Sequence, residues 1–526
     1  MPSVRTALVQ ELAMQALYDA RQANRKKSGE PSPPAAAKNI VKPSGAFGSL
    51  VAQAFLPVQA LCTGKNTCAT ESWQPKEEIV KRIRIGNGCG FWGDNLDAPI
   101  HLAHDGRLDY LTLEYLAELT MSILAVQKAK NPAAGFATDF LDVLGRLVPI
   151  LHEQPRLKII TNAGGMNPHG CAAKARAILA DAGLADRSIG IVFGDDLMPR
   201  LDAVAAHLNH LDSGEPLATI RDRVVSANAY LGAKPIAEAL AAGASIVITG
   251  RVADASLTVG PAVHEFGWSF DEVDKLASAT VAGHLIECGA QATGGLWINA
   301  DFDTKLAQVG YPIAEIGDDG SFTISKSAGS GGVVNVQTVS EQLLYEVADP
   351  ARYLTPDVIA DFTNVKLEQA AQDVVAVSPA RANGNTETYK VSIAYRDGYM
   401  AAGTLLIAGP NAPEKARRSG AIILEKLRQA GVWFAESNIE ALGAGDCVPG
   451  VIKTIGEPAE VVLRVAVRDP NRSHVERFTK EFAPLVTSGY PGTTGYTTGR
   501  PPVREVFAYW PALIPKGEVT SRVDVV

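Results

Sequence analysis

Cysteine is scarce in this sequence: six residues, Cys62, Cys68, Cys89, Cys171, Cys288 and Cys447, in a chain of 526. A disulfide scaffold would be denser, and no Cys-x-x-Cys pair marks a zinc site, so free thiols in a reducing compartment are expected. Surplus charge is scarce too. The net charge is −8 and no basic block interleaved with aromatics appears, which argues against a nucleic-acid surface. No apolar run approaches the roughly 18 residues of a membrane span. Glu11 and Asp19 stand where a secretory leader would need its apolar stretch, so a cytoplasmic protein is expected. What is present is globular: 46% hydrophobic and 20% charged residues, in a chain long enough for several structural units.

Residues 1–80 differ from everything after them. "LVQELAMQALYDARQANRKK" suits one amphipathic helix, while "SGEPSPPAAAKNIVKPSG" has a linker's composition. The segment is expected to be a poorly ordered extension, the alternative being a docking arm. Over residues 81–350, short β-rich runs such as "RIRIG", "LKIIT", "GIVFG", "VVSAN" and "SIVITG" alternate with helical ones. That alternation predicts an α/β domain with a mainly parallel sheet and flanking helices. Leu108, Leu111, Tyr115, Leu119 and Ile123 recur near helical spacing, which makes "LDYLTLEYLAELTMSILAVQKAK" a helix with one face on that sheet. Residues 351–526 read as an α+β part with antiparallel strands. Its expected elements include a hairpin across "YRDGY" and a helix over "EKARRSGAIILEKLRQAGV".

Polar residues collect in one kind of place. "IGNGCGFWGDN", "TNAGGMNPHG", "FGDDL", "NAYLGAKP", "TGRVADAS" and "CGAQATGG" each follow an apolar element. In an open parallel sheet such carboxyl-end loops share one edge, where ligands of these folds bind. One such loop is usually a turn; six in register argue for a site. Asp94, Asn95, Asn162, Asp196 and Asn228 are its candidate binding side chains, and Gly164 and Gly165 its candidate backbone donors. Asp195 and Asp196 compete for the plainer role of capping the next helix.

Arg251, Asp254 and Ser256 follow directly on "SIVITG". An arginine at a strand end can grip a carboxylate or phosphate bidentately while a nearby aspartate takes a proton; the alternative is a buried structural ion pair. His284 and Glu287, three apart in "AGHLIECGAQ", suit an acid–base pair, two ligands of an incomplete metal site, or a satisfied core histidine. No HExxH supports a metal, so none is expected. Gly88, Gly90 and Gly93 match a GxGxxG spacing, but "FWGDNLDAPIHLAHDG" is too polar and interrupted to be the helix a dinucleotide fold requires. No GxSxG elbow is present.

Taken together and in this order, the loops resemble the acyclic terpene utilisation protein A (AtuA-like) family. The resemblance rests on "RIGNGCGFWGDN", "TNAGGMNP", "NAYLGAKPIAEALAAGASIVITGRVADASLTVGPAVHEFGW", "TVAGHLIECGAQATGG" and "GYPGTTGYTTGRP", and "ITGRVADASLTVGP" is specific enough to carry it alone. It implies a setting, the catabolism of acyclic terpenes and branched acids through CoA thioesters, rather than a settled reaction. The expected function is hydration, dehydration or C–C lysis of a branched or hydroxylated acyl substrate, with no cofactor beyond CoA carried in the substrate. Asp254, or His284 with Glu287, would move the proton; Arg251 would hold developing negative charge. A small-molecule substrate, a homo-oligomer and a pathway-enzyme partner are expected, with neither nucleic acid nor membrane. The rival reading is a non-catalytic binding or scaffolding subunit of a carboxylase or lyase.

Overall fold

The computed structural model describes residues 80–301, 304–449, 456–495 and 499–526; the expected N-terminal extension falls outside the described residues. Residues 81–526 form one compact unit. In chain order its strands are β1 (Arg82–Asn87), β2 (Tyr110–Leu113), β3 (Lys158–Thr161), β4 (Ile189–Phe193), β5 (Val224–Ala229), β6 (Ile246–Thr249), β7 (Pro312–Gly317), β8 (Phe322–Lys326) and β9 (Tyr353–Leu354). They continue with β10 (Ile359–Asp361), β11 (Leu367–Ala371), β12 (Val374–Val377), β13 (Arg381–Ala382), β14 (Thr388–Ala408), β15 (Glu436–Leu442), β16 (Glu460–Asp469), β17 (Arg504–Pro515) and β18 (Arg522–Val525).

The largest sheet has ten strands in the order β11-β12-β8-β7-β1-β2-β3-β6-β4-β18. Its centre, β1-β2-β3-β6-β4, is parallel. Antiparallel strands extend it at both sides, β7, β8, β12 and β11 beyond β1, and β18 beyond β4. The sheet is therefore mixed, and the expectation of a mainly parallel sheet is corrected: the crossover helices fix the direction of the central strands only. Successive side chains of the central strands enter different cores. Ile160, Val192 and Val247 join the core shared with helices Lys234–Ala241, Ser256–Phe266 and Val273–Glu287. Ile159, Ile191, Ile246 and Ile248 join the core shared with helices Asp139–Glu153 and Pro168–Asp181. A sheet buried on both faces needs continuous apolar runs, which is why "IVIT" shows no alternation.

Two local readings are overturned. "LDYLTLEYLAEL" is not the start of a helix: Tyr110–Leu113 is β2, buried throughout, and the helix begins only at Glu118. Its buried face is Met121, Leu124 and Ala125, and the expected face residues Leu119 and Ile123 are exposed. A short run of large apolar residues fits both periods, and here the sheet takes it. Nor is Asp397–Gly398 a hairpin turn. β14 runs unbroken for 21 residues, and Gly398, at φ +87°, sits where the register against β17 shifts between Arg396 and Tyr399. The glycine serves a bulge, which bends the strand and lets its two halves pair differently. The first half pairs with β17 and β5, the second with β16.

That bend matters for the site. β5 was expected beside the other early strands, yet it lies in the second sheet, antiparallel to β14. The same sheet carries the helix Ala412–Gln429 over a separate core of Leu405, Ile423, Leu463 and Val465. β16 buries alternate residues, as a sheet with one solvated face requires.

Candidate functional site

The carboxyl ends of β1, β2, β3, β6 and β4 share one edge because the five strands run parallel. Asn87, Glu114, Asn162, Asp195 and Arg251 follow or end these strands, and all five are buried. β5 brings Asn228 to the same place from the other sheet: its Nδ2 donates to Asp195 Oδ2 at 2.8 Å.

Arg251 is the centre of this edge, with only 2% of its side chain exposed. Nη1 meets Asp254 Oδ1 at 2.6 Å and Glu114 Oε1 at 3.9 Å, and the guanidinium lies 4.0 Å from the ring centroid of Tyr230. Burial opposes its charge, but Asp254, Tyr230, Glu114 and Glu118 together hold it firmly protonated. Its backbone N–H donates to Asp195 at 3.0 Å. The buried pair with Asp254 that the sequence offered as the alternative is present at the strand edge. Nε has no partner among the described residues.

Glu114 is the residue that sequence reasoning missed. Oε1 accepts from the Leu116 N–H at 2.9 Å and from Asn162 Nδ2, while Oε2 has no partner among the described residues. Burial, then the charge of Asp254, pushes its pKa well above the carboxylate range, against Arg251 and Asn162. With Oε1 occupied by two donors, a proton on this acid belongs on Oε2. Asn162 is its positioner, for its Oδ1 also accepts from the Tyr115 N–H at 2.8 Å.

The second proton-carrying group is His284 with Glu287, at the end of helix Val273–Glu287. His284 is 1% exposed, and its Nε2 lies 3.0 Å from the carbonyl of Gln342. A carbonyl only accepts, so Nε2 carries hydrogen. Nδ1 lies 3.2 Å from Glu287 Oε1, a contact that needs one proton, on either the ring or the carboxyl. Burial raises Glu287, His284 lowers it, and Asp254 raises it again. Glu287 Oε2 has no partner among the described residues. Tyr353 and Phe362 pack on the imidazole, each with centroids 5.3 Å away. Asn87 Nδ2 donates to the carbonyls of Ile286 and Glu287, fastening the helix end to β1. Asp254, whose charge acts on both Glu114 and Glu287, links the two proton carriers.

A third cluster closes one side. Tyr230 Oη donates to Glu118 at 2.8 Å, and Lys390 of β14 meets the same carboxylate at 3.0 Å. Burial alone would raise Glu118, but Lys390 and Arg251 with the Tyr230 hydroxyl hold it down to about 2.

The remaining expected residues are placed differently. Ser256 is buried and donates to Asp357 Oδ2 at 3.3 Å, a carboxylate that also accepts from the Ala233 N–H. Asp94 accepts from the Gly90 N–H at 2.8 Å and from Tyr311 Oη, and Asn95 is exposed with Oδ1 on the Asp97 N–H. These two order the β1 loop. Asp196 caps the turn at Met198, whereas Asp195, one residue earlier, faces Asn228 and Arg251. Gly165 is at φ +49° and its N–H closes a turn on the Asn162 carbonyl, so it is not open as the donor the sequence suggested. A Cβ on Gly164 would collide with the Thr249 carbonyl and Pro168. "TNAGG" is a tight turn that aims Asn162 at Glu114. Among the described residues the four cysteines are free, and no three His, Cys, Asp or Glu side chains are grouped as a metal would need. No helix among them is long and apolar enough to cross a membrane.

Fold and edge together define an α/β protein with a buried centre of proton-carrying groups at the carboxyl ends of its parallel strands. Residues 83–525 match the acyclic terpene utilisation family protein AtuA, and the chain belongs to that family. Membership points to a role in acyclic terpene utilisation. No curated protein and no solved structure matches the chain.

Proposed function

We propose that the protein is an acid–base enzyme that hydrates, dehydrates or cleaves a C–C bond in a branched or hydroxylated acyl substrate, carried as a CoA thioester or free acid. One observation carries this reading: Arg251 Nε and Glu114 Oε2 are both buried without partners among the described residues, on neighbouring side chains whose Nη1 and Oε1 lie 3.9 Å apart. With Glu114 protonated, both are donors, the arrangement that stabilises a carbonyl oxygen as it gains negative charge. Asp254 then serves as the base for the proton next to that carbonyl. In a dehydration the His284–Glu287 pair gives its proton to the departing hydroxyl, which leaves as water; in hydration the transfers reverse. Asn228 Oδ1 and Glu287 Oε2, buried acceptors without partners among the described residues, suit a substrate that brings its own hydroxyl donors.

The test is turnover of branched and hydroxylated acyl-CoAs and their free acids by the purified chain alone, followed by mass spectrometry. Product formed by the wild type, and lost in Glu287→Gln and Asp254→Asn of unchanged melting point, is the expected result. Activity that appears only when a second protein is added would replace this reading with that of a scaffolding subunit.

A further inference from the structure

A cleft of about 460 Å³ has Asp195 in its lining but none of Glu114, Arg251, Asp254, His284 or Glu287. Its walls come from the start of helix Pro168–Asp181, the loop after β4, and the segment leading into β18, with Lys128 of helix Glu118–Lys130 joining them. These walls are built rather than incidental. β18 is hydrogen-bonded along β4, and His169 of the first wall meets Asp524 of the third at 3.0 Å. Gly194, at φ +107°, stands where a Cβ would collide with the carbonyl of Thr520, so the close approach of the third wall depends on that glycine.

Lys128, Arg200 and Arg522 line this cleft. Lys128 Nζ rests on the Met166 carbonyl at 2.6 Å, and no carboxylate among the described residues pairs with it. No side-chain hydrogen bond or ion pair among the described residues engages Arg200 or Arg522. Elsewhere, surface guanidinium groups such as Arg417 and Arg464 are gripped by carboxylates through two nitrogens. Each of the two carboxylates in the lining has one oxygen engaged by neutral N–H donors. Asp195 Oδ2 accepts from Asn228 and from the Arg251 N–H, and Asp196 Oδ1 from the Met198 N–H. In a chain of net charge −8, three cations drawn from three elements around one cleft describe a receptor for an anion.

We propose that this cleft binds a phosphate-bearing ligand, with Arg200 and Arg522 as its forked donors and Lys128 as a point charge. The inference is independent of the acid–base reading, since none of these three side chains takes part in it.

Isothermal titration of the full chain with pyrophosphate, at fixed ionic strength, tests it. Saturable one-to-one binding is expected, weakened about tenfold or more in the double variant Arg200→Gln/Arg522→Gln, whose melting curve should match the wild type. Arg381→Gln, which removes an exposed arginine of β13, should bind as the wild type does. Coenzyme A is the second titrant: displacement of pyrophosphate assigns the phosphate to a thioester's nucleotide end, and its failure to displace assigns the cleft to a free phosphate. Absence of saturable pyrophosphate binding, equal binding by the double variant, or equal weakening in Arg381→Gln would each overturn the proposal.

Discussion

Arg251–Asp254 and Arg464–Glu440 are the same chemical pair in two regions, and they behave in opposite ways. Arg464, on the solvated face of the second sheet, holds Glu440 through two nitrogens at 2.5 and 2.8 Å and is 42% exposed. Arg251 has a single short contact to Asp254, is almost wholly buried, and keeps Nε unused. The pair with better geometry is expected to matter less, because Arg464 is partly in water, although Glu440 is buried. The buried pair is incomplete, and incompleteness under burial is costly unless a ligand completes it. Acids divide along the same line. Burial raises Asp195 and Glu114 at the edge, whereas hydrogen bonding from Arg417 lowers Asp446 beside the second sheet.

Removing each arginine in turn should separate the two pairs most strongly. Arg251→Met should cost about 3–5 kcal/mol in urea unfolding, because it leaves buried carboxyls without their cation. Equal losses for Arg251→Met and Arg464→Met would mean that burial does not separate the two pairs.

Next comes pH. The pKa of Asp195 rises from 3.8 to about 6 on folding, so its contribution is present in full below 3.8 and is lost as pH rises through about 6. That loss is on the order of 3 kcal/mol, and Asp195→Asn should flatten the stability curve between these limits. Asp446 has the opposite sign: its lowered pKa makes its contribution present above 3.8 and lost as the solution is acidified below it. An Asp195→Asn curve parallel to that of the wild type would remove the distinction between the two groups of acids.

A third prediction concerns turnover. Glu287→Gln keeps the volume but cannot share the His284 proton, and kcat should fall about a hundredfold, measured on whichever acyl substrate the wild type converts. Unchanged kcat would return His284 to the status of a core histidine. The smallest effect is expected at the second sheet, where Arg464 is partly exposed although Glu440 is buried: Arg464→Met should cost about 1–2 kcal/mol by the same urea measurement. A loss as large as that of Arg251→Met would show that this pair anchors β15 to β16.

Local sequence determined more of the fold than of the site. "RIRIG", "LKIIT", "GIVFG" and "SIVITG" are legible as strands because β-branched runs bounded by glycine or polar residues leave few alternatives, and β1, β3, β4 and β6 bear this out. The same reading placed Arg251 and Asn162 at loop starts, since a strand's end is a local event, whereas Asn228 lies inside β5, paired with β14. It could not see Glu114, because "YLTLEYL" fits a helix as well as a strand, and the choice was made by β1 and β3 pairing on either side of β2. Nor could it choose Asp195 over Asp196, since successive residues leaving a strand face opposite ways and only the position of β5 decides which faces inward. Lys390 reaches Glu118 across 272 residues of chain, because β14 bends at Gly398 and lays its first half along β5. Short-range sterics and apolar pattern are written in neighbouring residues. Which polar atoms end up buried together is set by strand pairings far apart in sequence, and only the tertiary structure decided that.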